Sequence, residues 1–137
     1  MPTFQSIVLT DATTPTPVNH TLVPQNNERG TAIVAESGST KFGELRLEIT
    51  PRFNRGPNQK LLTDIRLVRP VVVTETINGV SAPRILYTNL FTGQFSCGYE
   101  STVQSRKDLV AMVASMMEAA KPLLYDTVTK AEGIWGG

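Results

Sequence analysis

Arg46, Glu48, Thr50 and Arg52 occupy every second position of one short stretch, and Asp64 and Arg66 repeat that spacing a little further on. Between the two stretches lie Asn54, Arg55, Asn58 and Lys60, in a segment rich in Asn, Gly and Pro. Alternation of this kind puts all the named side chains of a strand on one face of a sheet. Thr88, Thr92, Gln94 and Ser96 extend such a face on a later strand. Arginine offers paired N–H groups to phosphate, with salt-dependent strength. Amide and hydroxyl side chains can read the edges of unpaired bases. A flat polar face of this composition is therefore a usable platform for single-stranded RNA. A simply hydrated outer face is the alternative, and antiparallel sheets commonly have one.

Enzymatic chemistry is poorly represented. The sequence lacks a glycine-rich phosphate loop. His20 is the only histidine and lies between Asn19 and Thr21 in a short strand-like segment, where a cross-strand or surface polar role is expected. Cys97 is the only cysteine and has no basic or helix-start neighbour to sharpen it as a nucleophile. One cysteine precludes an intrachain disulfide, and one cysteine with one histidine does not make a zinc site. The twelve acidic residues are spread along the chain without a close pair suited to acid/base work. The expectation is a protein without catalytic residues, cofactor or metal.

The 137 residues carry 13 basic and 12 acidic side chains, so net charge alone does not mark a nucleic-acid binder. Its distribution is more informative. Residues 1–40 sum to −2, residues 41–84 to +4 and residues 85–137 to −1. The middle third is where an anionic partner would bind. The N-terminus lacks a basic-plus-apolar signal pattern, and no apolar run approaches membrane-spanning length, which predicts a cytosolic chain with no membrane partner.

The elements that must position the polar set are mostly strands. Period-two patterns between turn residues predict strands over 6–12, 18–23, 31–36, 44–52, 61–70 and 84–97, with a β-branched run at 71–76. Leu45, Leu47 and Ile49 alternate with the polar residues of 44–52, so one face of the sheet is apolar and the other wet. Asn78-Gly79 is a strong tight-turn signal. From residue 101 the period changes. Ser101 and Gln104 fit a capping box, and Leu109, Met112, Val113, Met116, Met117 and Ala120 recur at helical spacing. Pro122 opens a second, shorter helix. The fold class is α+β: an antiparallel sheet of six to seven strands, about 6–97, followed by two C-terminal helices, about 102–132, in one domain spanning 1–137. The first helix is apolar around much of its girth, with Val110, Ala111, Ala114, Met117 and Ala119 off the main stripe. Such a helix needs a second surface to bury against, which points to a partner subunit.

This order and spacing resembles the coat proteins of single-stranded RNA bacteriophages. Three stretches carry the resemblance: Leu45–Ile49 with the basic turn and Lys60–Pro70; Pro70–Pro83, which looks like the family's long loop leading into its last strand; and Ser101–Leu124. The resemblance implies a homodimer whose sheets join edge to edge into one continuous sheet, with each subunit's helices crossing over the partner's sheet. Dimers would build an icosahedral shell, usually of triangulation number three, in the host bacterial cytoplasm, with the loop near 71–83 meeting its copies around the symmetry axes. The exposed sheet face would point inward, bind the RNA genome and recognise a stem-loop at the replicase start as translational repressor. A dimeric RNA-binding repressor that builds no shell is the second reading, and a pocket-bearing small-molecule or enzymatic domain the third.

Carried over residue by residue, the inward-facing set is Arg46, Glu48, Thr50 and Arg52 with Asn54, Arg55 and Lys60 at the turn and Asp64 and Arg66 beyond it. Family members place a base-stacking tyrosine on the last strand, followed two residues later by Asn or Asp. Tyr87-Thr88-Asn89 looks like that pair, whereas counting from Pro83 puts Leu90 and Thr92 there, with Gln94 next on the same face. Simple alternation groups Tyr87 with Phe91 and Phe95 on the opposite, helix-covered face, unless a bulge shifts the register. Glu48 and Asp64 depart from the family's pattern by placing negative charge where phosphate would lie. That departure predicts a different hairpin or looser specificity.

Overall fold

The computed structural model describes residues 3–27, 29–37, 43–53 and 60–134. The chain divides into two compact units, residues 1–96 and 97–137. The first is built on a sheet of six strands in sequence order: β1 (Ile7–Thr10), β2 (Asn19–Asn26), β3 (Ala32–Glu36), β4 (Arg46–Phe53), β5 (Lys60–Ile77) and β6 (Val80–Gly98). Neighbouring strands run antiparallel, and β4 and β5 pair from Arg46↔Val68 to Phe53↔Leu61.

Alternation in β4 sets the core. Leu47 and Ile49 face the same side as their partners Leu67 and Ile65, and Leu47 also pairs with Val34 of β3. Leu22, Val34 and Leu47 form the buried cluster, with Leu9, Leu45, Ile49, Ile65 and Leu67 packed against it. The side chains at the intervening positions occupy the other face, as the sequence predicts.

Two prolines that look like strand stops lie inside strands. Pro70 falls within β5, but the β4–β5 ladder ends at Val68, so that flank has no hydrogen bond for proline to break. Pro24 sits where the β2–β3 register shifts, between Pro24↔Val34 and Asn26↔Ile33. The long loop expected at 71–83 is consequently a hairpin. β5 runs to Ile77, and Asn78 (φ 52°) and Gly79 (φ 80°) make the two-residue turn into β6. Both positive angles are what a type I′ turn requires, and its twist suits the strands it joins.

The second unit holds α1 (Val103–Met116) and α2 (Pro122–Thr129). The cap of α1 is Thr102, whose hydroxyl accepts from the Ser105 amide at 3.1 Å, one residue later than the predicted Ser101. Ser101 instead donates to the Gly98 carbonyl at 2.6 Å, and Gln104 donates forward to Asp108 at 2.8 Å rather than back to the cap. α1 also stops short of the expected residue 120: the Glu118 amide turns back to the Ser115 carbonyl and the Lys121 amide to the Glu118 carbonyl. α2 begins with Pro122 in its first turn, as predicted.

Candidate nucleic-acid interface

The polar face takes its geometry from the β4–β5 register. Glu48 lies directly opposite Arg66, Thr50 opposite Asp64, Arg46 opposite Val68 and Arg52 opposite Leu62. Paired residues in an antiparallel ladder share a face, so these side chains stand together. Glu48 sits between two guanidinium groups, with Oε1 3.5 Å from Arg46 Nε and Oε2 3.7 Å from Arg66 Nη1. Asp64 is engaged in the same bridging way. Its Oδ2 lies 2.8 Å from Arg52 Nη2, and its Oδ1 accepts from Gln94 Nε2 at 2.6 Å. Thr50 and Thr31 share a hydroxyl hydrogen bond of 2.9 Å. Lys60 is exposed at the start of β5. Asn54 and Arg55, assigned to this face from the sequence, lie outside the described residues.

The bond from Gln94 to Asp64 places the end of β6 on this face. At the other end of the hairpin, Thr76 and Ser81 share a hydroxyl contact of 3.1 Å. Eleven residues separate Asp64 from Thr76 but twelve separate Ser81 from Gln94, so β6 absorbs one residue more than β5. Beyond that shift Gly93, Phe95 and Cys97 are half-buried, while Thr92, Gln94 and Ser96 are exposed. The Phe91 ring lies over Gly93, within 3.0 Å of where a Cβ there would stand, so Phe91 and Gly93 share the opposite side. Leu90, Thr92 and Gln94 therefore share the polar face. Tyr87 and Asn89 are exposed and fall between Ser81 and Gln94, the two positions that bracket the shift.

The pairing of β4 with β5 puts Arg46, Glu48, Arg52, Asp64 and Arg66 on one face, and the alternation along each strand did not reveal how their charges meet. Alternation also missed Thr31, which only strand pairing brings to Thr50. A second polar cluster lies on the apolar side of the sheet. His20 Nε2 is 2.9 Å from Asp11 Oδ2 and its Nδ1 is 2.6 Å from Glu36 Oε2, with Arg69 Nη2 3.6 Å from the same Asp11 oxygen. The hydrogen bonds to Asp11 and Glu36 raise the His20 pKa above its ordinary 6.5. Hydrogen bonds from His20 and from the Val18 and Thr13 amides hold the Asp11 carboxyl well below the usual carboxylate range. His20 is thus the cross-strand polar residue expected. Asp-Ala-Thr-Thr-Pro at 11–15 is the local signal of the turn that carries its partner. Among the described residues no group of three or more His, Cys, Asp or Glu side chains could hold a metal ion.

The described residues form a single antiparallel meander with one polar face, ending in a long edge strand and followed by two helices. The chain belongs to the levivirus coat protein family, whose family model matches residues 2–135. It is 32% identical over 132 residues to the capsid protein of Pseudomonas phage PRR1, covering 96% of this chain and 98% of that one. Its fold is similar to the bacteriophage GA protein capsid (TM-score 0.82, 20% identity, 97% of this chain and 98% of that chain). It is also similar to an unassembled bacteriophage coat protein described as an RNA-binding dimer (TM-score 0.71, 15% identity, 97% and 98% covered). The protein is a phage capsid protein, a structural subunit of the virion in a family not known for enzymes.

Proposed function

We propose that two copies of this chain join along β6 into one continuous sheet, that each copy's helices cover the partner's sheet, and that such dimers form an icosahedral shell of triangulation number three in the host cytoplasm. The carrying observation is the outer edge of β6. It is a 19-residue strand at the end of the sheet, with Tyr87, Leu90 and Phe91 exposed along it. A long unpaired edge of this kind is a template for another chain. The helices add to it. Neither has a buried residue, and Val110, Met112, Leu123 and Val128 are all more than half exposed. A groove of about 370 Å³ on the apolar side, lined by Phe4, Ile7, Val34, Leu47, Ile49 and Pro51, offers such helices a seat. In this reading the single coat-protein domain is completed by its partner.

The polar face, with Arg46, Glu48, Thr50, Arg52, Lys60, Asp64, Arg66, Leu90, Thr92 and Gln94, then lines the shell's interior and binds the single-stranded RNA genome and an RNA stem-loop. Its flatness, its three arginines and its hydroxyl and amide groups support that role. Expression of the protein alone in bacteria tests the proposal. Uniform spherical particles in negative-stain micrographs, with nucleic-acid absorbance at 260 nm in the same fraction, are expected. A small monodisperse species without particles would remove the shell, and a dimer that still shifted RNA in a gel would be the free repressor.

A further inference from the structure

Among the described residues, each arginine of the β4–β5 polar face lies beside a carboxylate of the same face. Glu48 spends one oxygen on Arg46 and the other on Arg66, and Asp64 divides its two oxygens between Arg52 and Gln94. An RNA-binding surface built for affinity alone would leave those guanidinium groups free, because each phosphate neutralised releases condensed counterions and strengthens binding. Here two negative charges stand within 4 Å of three positive ones. We propose that Glu48 and Asp64 are specificity residues of the RNA face, which hold down binding to arbitrary phosphodiester backbone. The inference rests on the reading of this face as the RNA interface. It runs against the looser specificity expected from the same two residues in the sequence.

A carboxylate beside a guanidinium lowers the local potential seen by any phosphate, whatever the RNA sequence. Glu48 lies between Arg46 and Arg66, and Asp64 between Arg52 and Gln94, so each carboxylate acts on more than one position of the face. An RNA gains from this face only where its own geometry delivers phosphates to the remaining N–H groups of Arg46, Arg52 and Arg66, and base edges to Thr50, Thr92 and Gln94. Negative charge on the face thus works as a penalty against the wrong partner, which is how binding surfaces commonly gain discrimination. All three arginines are about half exposed, so their outer N–H groups remain reachable.

The test is the salt dependence of binding to a labelled 12-nucleotide oligouridylate, which has no hairpin to recognise, by fluorescence anisotropy with the full-length protein below its assembly concentration. The Glu48→Gln, Asp64→Asn double variant should bind it about tenfold more tightly at low salt. The slope of log K against log salt should steepen by roughly 1.4, since each added charge contributes about 0.7 for a single strand. Glu75→Gln removes a carboxylate that pairs with Arg84 (2.8 Å) at the far end of the hairpin, and should leave the slope unchanged. If the double variant is insoluble, Asp64→Asn alone should give half the slope change. If neither the wild-type protein nor the double variant bound the oligouridylate at any salt, the reading of the face as an RNA interface would fall. Wild-type binding with an unaltered slope in the variant, or an equal per-charge effect from Glu75→Gln, would leave that reading intact and overturn this inference.

Discussion

The only imidazole of the chain, His20, is held between two carboxylates, with Asp11 on one ring nitrogen at 2.9 Å and Glu36 on the other at 2.6 Å. The arrangement ties the β1–β2 turn to β3, because Asp11 also accepts from the Thr13 and Val18 amides, each at 2.9 Å. Both ring nitrogens can donate only when the imidazole is charged. Its raised pKa means that the folded state holds the proton more tightly than the unfolded chain. That stabilisation is fully present below pH 6.5, the ordinary value, and is lost as pH rises through the higher folded pKa. Asp11 works in the other direction. Its lowered pKa contributes stability above the ordinary 3.8, which is lost as pH falls through the depressed value. The protein should therefore be most stable between about pH 4 and 6.5 with respect to these two groups, and its melting temperature should fall from pH 6 to pH 8.5. The drop should be smaller in His20→Gln. Equal pH slopes in the two proteins would show that His20 carries no linkage.

Thr102, not Ser101, caps α1, and the two substitutions separate the roles. Thr102→Ala removes the acceptor for the Ser105 amide and should cost about 1 kcal/mol in urea unfolding. Ser101→Ala leaves that amide satisfied and removes only the hydroxyl contacts to the Gly98 carbonyl and Arg106. Its cost should be the smaller of the two. The reverse order would return the cap to Ser101.

The contrast shows what could be read from the chain. Strict alternation over residues 44–52 was enough to assign faces, because a one-residue slip would expose Leu47 and Ile49. Asn78-Gly79 announced its turn because few other pairs tolerate two positive φ values. The strand end drawn at Pro70 was too early, since proline is harmless there because β4 begins at Arg46, opposite Val68, a fact about a neighbouring strand. The capping box misled by one residue, because two adjacent hydroxyl residues both fit and only the backbone angle of Thr102 chooses. The register of β6 was not legible at all. Its extra residue is visible only once Gln94 is found beside Asp64 and Ser81 beside Thr76. The ion pairs of the polar face were hidden in the same way, since alternating signs along one strand do not reveal which charges meet across two.

Among the described residues Leu22 is the one large side chain that is fully buried, at the junction of β1, β2 and β3, and it anchors the cluster with Val34 and Leu47. Leu22→Ala should cost about 2–5 kcal/mol, the range for a buried leucine whose cavity closes only partly. Denaturant unfolding checks it. A loss below 1 kcal/mol, on the scale of a surface substitution, would mean that the β1–β2 hairpin contributes little to the core.

Met112 lies on α1 at 61% exposure, in a helix with no buried residue of its own. If α1 is covered by a partner's sheet, a charge at this position has to be desolvated there, and an unpaired buried charge is strongly destabilising. Met112→Lys should abolish particle formation and shift the protein to a smaller species on size-exclusion chromatography. Far-UV circular dichroism should keep its strand signal where the sheet of one chain holds together, since the β-sheet core of Leu22, Val34 and Leu47 does not involve Met112. Normal particles from Met112→Lys would place this side chain in solvent within the assembly. The interface would then have to run through the edge of β6 and other helix residues, for which Val128→Lys, at 71% exposure on α2, is the matching probe.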